Sequence, residues 1–188
     1  MSVETMLRLG LLYAHLILCA FAICYVLSAD LQILKGSLSR AEMRKTAHRM
    51  TILLCALWAT GLPIVWIDLA GNIMALGTKP KLAAKLLCVF VLSLNALVLH
   101  KYAFPKLMSV RSLSNADWRL VMCFGSLSTT SWLFAAFLGI AKPLANVLSF
   151  SEFVSLYALV ASAGVIVSLL AANALRRRIS QPGAGAMA

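Results

Sequence analysis

Four side chains have the type and placement to do chemistry: His15, Lys85, His48 and His100. A neutral imidazole can ligate haem iron, hold a metal or pass a proton. A lysine ammonium can anchor an anion such as a propionate. His15 and Lys85 lie within long apolar runs, where an ionisable group is costly and is a functional candidate by default. At ~1.5 Å rise per residue, His15 sits ~14 Å below the end of its run, close to the middle. Lys85 sits only ~5 Å below the end of its own run by the same rise, within snorkelling distance of the surface.

Each candidate has a plainer reading beside the chemical one. A buried imidazole needs a hydrogen-bond partner. Asn95, or the run Ser126, Ser128, Thr129, Thr130 and Ser131, can supply it for His15 by an interhelical bond. Haem or metal ligation and a proton relay stand as the alternatives. His48 and His100 fall at similar depth on consecutive runs, which fits a bis-histidine haem site. Both also adjoin basic residues, Arg49 and Lys101, where a wet interface histidine needs no special role. Among the structural polar groups, Asp68 and Glu152 mark run ends, and an Asp68–Lys85 ion pair is expected. Glu152, Ser155, Ser162 and Asn173 share one stripe at 100° per residue, expected to face inward. Ala161, Gly164 and Ser168 lie elsewhere and should let a helix approach closely.

The elements that must position these groups are membrane helices. Crossing a ~30 Å hydrocarbon core takes about 20 mainly apolar residues. Five segments qualify: 6–28, 50–70, 82–104, 120–141 and 150–175. Hydrophobic residues make up 62% of the chain, so its +11 charge reads as membrane-flanking collars and not as a nucleic-acid surface. Lys35, Arg40, Arg44, Lys45, Arg49, Lys101, Lys106, Arg111, Arg119, Arg176, Arg177 and Arg178 fall on one side. Arg8, Lys79, Lys81, Lys85 and Lys142 fall on the other. The positive-inside rule then sets the N-terminus outside and the C-terminus in the cytoplasm.

The expected fold is all-α, a polytopic membrane protein with a bundle of five transmembrane helices, N-out/C-in. One domain covers 1–179, with a flexible tail over 180–188. The apolar stretch 9–27 exceeds a usual signal-peptide core, so the first segment is expected to be retained as a span. Loop 1 is expected over 30–48, with a capping pattern Ser39-x-x-Glu42 starting helix 2 near Ala41. Gly71-Asn72, Gly77 and Lys79-Pro80 mark turns in loop 2. Thr60-Gly61-x-Pro63 should kink helix 2. Trp66, Tyr102 and Trp118 lie near span ends, where aromatic belts form. Cys19, Cys24, Cys55, Cys88 and Cys123 all fall inside spans and read as small apolar packing residues.

This arrangement resembles the CopD/HemJ-like group of small bacterial membrane proteins. The likeness rests on His15-Leu16 in helix 1 and on the helix from Lys85 to His100. It also rests on the basic stretch Lys101-Tyr102-Ala103-Phe104-Pro105-Lys106-Leu107 and the basic first loop. Leu16 stands where that group carries a Trp. The resemblance covers helices 1 to 3. It implies a bundle that holds b-type haem or handles a porphyrin or copper ion, with His15 and Lys85 as the functional pair.

The leading expectation is therefore a haem- or porphyrin-binding redox protein of a bacterial inner membrane, with His15 as iron ligand or proton-handling group and Lys85 as propionate anchor. The alternative is a non-enzymatic membrane subunit or assembly factor, acting as a homo-oligomer or beside a partner subunit. The third is a small-solute or ion transporter using the Pro63 region and the Ser/Thr run. It lacks the inverted repeats usual for one.

Overall fold

The computed structural model describes residues 2–35, 40–103, 105 and 114–180, and within them not the side chains at 33, 34, 40, 43, 103 and 173–180. Five long helices carry the fold: α1 (Val3–Lys35), α2 (Arg40–Asp68), α3 (Pro80–Val98), α4 (Asn115–Ile140) and α5 (Phe150–Ser180). A π-helical turn, Leu99–Ala103, extends α3, and 3₁₀ turns cover Ile73–Thr78 and Pro143–Asn146. All five helices are long and apolar enough to cross a membrane. The chain is a multi-pass membrane protein.

Local chemistry sets the helix ends. Glu4 and Lys35 place an acid and a base at the matching ends of the α1 dipole. α2 closes where the N–H of Gly71 reaches the Trp66 carbonyl and the N–H of Ala70 reaches that of Ile67. Those two bonds make a Schellman motif, with Ala70 left-handed at φ 48° and Gly71 at φ 74°. The Asn72 side chain then accepts from the N–H of Met74, and Pro80 opens α3 where a missing N–H costs nothing. Ser114 caps α4 by accepting from the N–H of Asp117.

Several ends differ from the hydropathy reading. α1 continues past Ser28 to Lys35, and α2 begins at Arg40, so 30–35 and 40–48 of the expected loop are helical. Good helix formers (Ala29, Leu31, Gln32) keep the backbone bonded after apolarity runs out. Ser39 of the capping pattern lies outside the described residues, as does the tail beyond Ser180. α2 runs unbroken through Pro63.

The core has two clusters that meet on α3 and α4. Ala22 and Val26 of α1, Leu54 and Leu57 of α2, Leu92 of α3 and Trp132 of α4 form one. Ala84 and Cys88 of α3, Phe134 and Leu138 of α4, and Phe153 and Tyr157 of α5 anchor the other. Thus α3 and α4 make the centre, α1 and α2 flank one side, and α5 the other. Large apolar side chains such as Leu16, Phe90, Leu97, Ile140 and Leu170 point outward. In water so much exposed apolar surface would drive association; against acyl chains it is at home.

α4 packs tightly against α5 at Gly164. A Cβ there would collide with the Thr130 methyl, and Thr130 is fixed because its hydroxyl donates to the Ser126 carbonyl at 2.8 Å. Gly164→Ala should therefore cost about 1–3 kcal/mol through overpacking. Adding Thr130→Ser, which removes the methyl and keeps the hydroxyl, should recover most of the loss. Unfolding titrations of the single and double variants in detergent check this pair.

Candidate functional site

The geometry around His15 follows from hydrogen counting. His15 Nδ1 lies 2.8 Å from Thr60 Oγ1. The Thr60 hydroxyl has one hydrogen, and it is directed to the Ala56 carbonyl at 2.9 Å and, more weakly, the Leu57 carbonyl at 3.3 Å. With that hydrogen on the helix carbonyls, Thr60 Oγ1 accepts, and Nδ1 carries the imidazole proton and donates. The Leu57 carbonyl lies beside the ring as a further acceptor. In that tautomer Nε2 holds the lone pair, and it makes no hydrogen bond to any described residue. The ring lies against Gly61, where an added Cβ would meet Cε1 at 3.2 Å. A side chain at 61 would crowd the imidazole.

Lys85 of α3 is half-buried and lies within electrostatic reach of His15, Cys19 and Cys88. The structure therefore brings the two residues singled out by sequence into one neighbourhood. The expected Asp68–Lys85 ion pair is not formed. Asp68 accepts instead from Arg8 Nε at 2.7 Å, tying the ends of α1 and α2, while the Lys79 ammonium donates to the Asp68 carbonyl. Arg8 sits on the helix packed directly against α2 and reaches Asp68 without crossing a neighbour. Lys85 has no hydrogen bond or ion pair among the described residues.

One turn beyond Lys85, Cys88 begins a second polar group. Its thiol donates to the Ser131 carbonyl at 3.4 Å. The Ser131 hydroxyl lies 2.6 Å from the Leu127 carbonyl, to which it can donate, and 2.7 Å from the Tyr157 hydroxyl, with which it shares a hydrogen bond. These three residues are buried. With Thr60 and His15, polar side chains from all five helices line the region on either side of Lys85.

The other sequence candidates separate. His100 stands in the π-helical turn with Nε2 at 2.6 Å from Thr51 Oγ1, and Thr51 donates its own hydrogen to the Ala47 carbonyl. His48 is exposed one turn before Thr51. The two histidines share an end of the bundle, and His100 Nε2 is hydrogen-bonded to Thr51. Asn95 is buried; it donates to the Phe124 carbonyl at 2.9 Å, and its Oδ1 has no partner. It does not serve His15, and neither do Thr129 and Thr130. Thr129 donates to Asp30 at 2.8 Å, and Thr130 bonds its own helix.

Two faces are rotated relative to expectation. Glu152, Ser155 and Ser162 of α5 are exposed, and the side chain of Asn173 lies outside the described residues. Phe153, Tyr157 and Ala161 turn inward in their place, while Gly164 and Ser168 face α4 as expected. Trp118 is buried and donates to the Ala172 carbonyl at 2.7 Å, so it is a packing residue and not part of an aromatic belt. Trp66 and Tyr102 are exposed near helix ends. The five cysteines are free thiols.

Sequence reasoning passed over Thr60, Arg8, Asp30 and Tyr157. A signal for the first two exists. Arg8 with Asp68, His15 with Thr60, and Tyr25 beneath Arg49 step along one antiparallel register. Any one pair would have predicted the others. Among the described residues, no three His, Cys, Asp or Glu converge to hold a metal ion. A scan against protein-family models, a search of curated proteins and a search of solved structures each find no match to this chain.

Proposed function

We propose that this membrane protein binds haem or a porphyrin and takes part in redox chemistry in a bacterial inner membrane, as its resemblance to the CopD/HemJ-like group implies. The observation that carries this reading is the His15–Thr60 hydrogen bond at 2.8 Å. With Nδ1 donating to Thr60, Nε2 is the lone-pair donor, and metal-ligating histidines are held in this way through their other nitrogen. The donor set fits one axial position. His15 would hold the iron, and Lys85, an ammonium without a carboxylate partner among the described residues, would pair with a propionate. Bound haem would supply one-electron exchange at that position. The chain's own residues do the rest: Thr60 fixes the tautomer, Gly61 gives the ring room, and the apolar wall of Ala22, Leu57 and Leu92 excludes water.

The test is the visible spectrum of the purified protein after haem supplementation. A Soret band is expected; His15→Ala should abolish it and Lys85→Gln should lower its occupancy several-fold. No band in the wild-type protein overturns the reading. A second reading, a non-enzymatic subunit or assembly factor, draws on the outward face of α5. There Ser155, Ala158 and Ser162 present small side chains suited to close helix packing. It predicts that the protein copurifies with a partner helix and carries no chromophore.

A further inference from the structure

Asp30 meets α4 at an unexpected depth. It lies near the end of α1, yet its carboxylate Oδ2 accepts from Thr129 Oγ1 at 2.8 Å. Thr129 stands about 21 Å along α4 from Asn115 and about 17 Å from Ile140, at ~1.5 Å per residue. The last turns of α1 therefore meet the middle of α4 and not its end. Asp30 is half-buried, and no described cation forms an ion pair with it.

The groups that neighbouring helices could bring to it are few. α2 carries Arg44, Lys45, His48 and Arg49 toward this end of α1; all four are exposed, and Arg49 lies over the Tyr25 ring at 5.5 Å. α4 contributes Cys123, and α5 has no titratable residue from Ala158 to Ala172. A half-buried carboxylate with no ion pair to a described residue is costly unless it takes up a counter-ion or a proton. A metal cation would want a shell of several oxygens. Thr129 is the only described side chain that hydrogen-bonds to Asp30.

Thr129 is built to serve both protonation states. Its single hydrogen has two acceptors, Asp30 at 2.8 Å and the Gly125 carbonyl at 3.3 Å. With Asp30 ionised, the hydroxyl donates to the carboxylate. With Asp30 protonated, the acid O–H donates to Thr129 Oγ1, and the threonine turns its own hydrogen to Gly125. Neither state leaves a buried group unbonded. We infer that Asp30 and Thr129 form a proton-binding site in the membrane domain, where Asp30 gains and loses a proton while the fold stays intact. This is independent of whether His15 binds haem.

The test is an infrared pH titration of the full chain in lipid, with carbon-13 in the carboxyl groups of its aspartates. The chain has only three, Asp30, Asp68 and Asp117, so the label reads them apart from the glutamates without a mutation. A labelled carboxylic-acid band should appear reversibly as pH falls, with the helical amide band unchanged. Asp30→Asn should remove one component of it and leave those of Asp68 and Asp117. Thr129→Val should move the Asp30 component to higher frequency through loss of the hydrogen bond, and Thr129→Ser should restore its position. If Asp30→Asn does not fold, the threonine variants still read the site. No labelled band while the fold persists, a labelled band unchanged by Asp30→Asn, or one indifferent to Thr129→Val overturns the inference.

Discussion

Replacing Thr60 with valine should weaken haem retention by about ten- to a hundredfold, the usual loss when the group that orients a ligating histidine is removed. Valine keeps the shape of threonine, so packing against His15 changes little. What disappears is the oxygen that accepts from Nδ1 at 2.8 Å. The Leu57 carbonyl remains nearby but already closes the helical backbone. The imidazole is then free to change tautomer or turn, and Nε2 is no longer held as a lone-pair donor. Thr60→Ser restores the oxygen and should restore retention. Haem dissociation, followed by the Soret band during transfer to an acceptor protein, measures both. Equal retention by threonine and valine would mean that the Thr60 bond does not govern His15. The outcome separates an orienting role from a packing role, because the folding stability of the valine variant should stay within about 1–2 kcal/mol of wild type, the net value of one hydrogen bond.

The spans were legible because hydropathy averages over twenty residues and tolerates a misplaced end. Helix ends were less so. Apolarity reports the surrounding solvent, whereas backbone hydrogen bonds continue wherever the residues permit, as Ala29 to Lys35 show. The site was half legible. His15 and Lys85 stand out by type within apolar runs, and the fold does bring them close. Their partners depend on which helices adjoin and how each is rotated, and an isolated run carries neither fact. Thr60 looked like part of a Pro63 kink because its neighbour across the interface was unknown. Asp30 looked like a loop residue because it follows the last apolar stretch of its segment.

The rotation of α5 shows the same limit and points to the strongest effect on stability. Its polar stripe was expected to face inward, but serine is small and costs little against lipid. Phe153 is large and fills a specific volume, fully buried between α3, α4 and α5 beside Cys88, Leu138 and Tyr157. Packing of that volume sets the rotation. Phe153→Ala should cost about 3 kcal/mol, the low end for a buried phenylalanine. The lower figure follows because helices separating within a bilayer exchange protein contacts for acyl chains, so the water-transfer part is small and the cavity part remains. Phe90→Ala, at a lipid-facing position of α3 that is 53% exposed, should change stability by less than about 0.5 kcal/mol. Unfolding in mixed micelles compares the two. Equal losses at 153 and 90 would show that apolar area alone, and not the jigsaw between α4 and α5, holds the bundle together. A large loss at 153 alone would fix α5 with its serines outward and Tyr157 turned to Ser131.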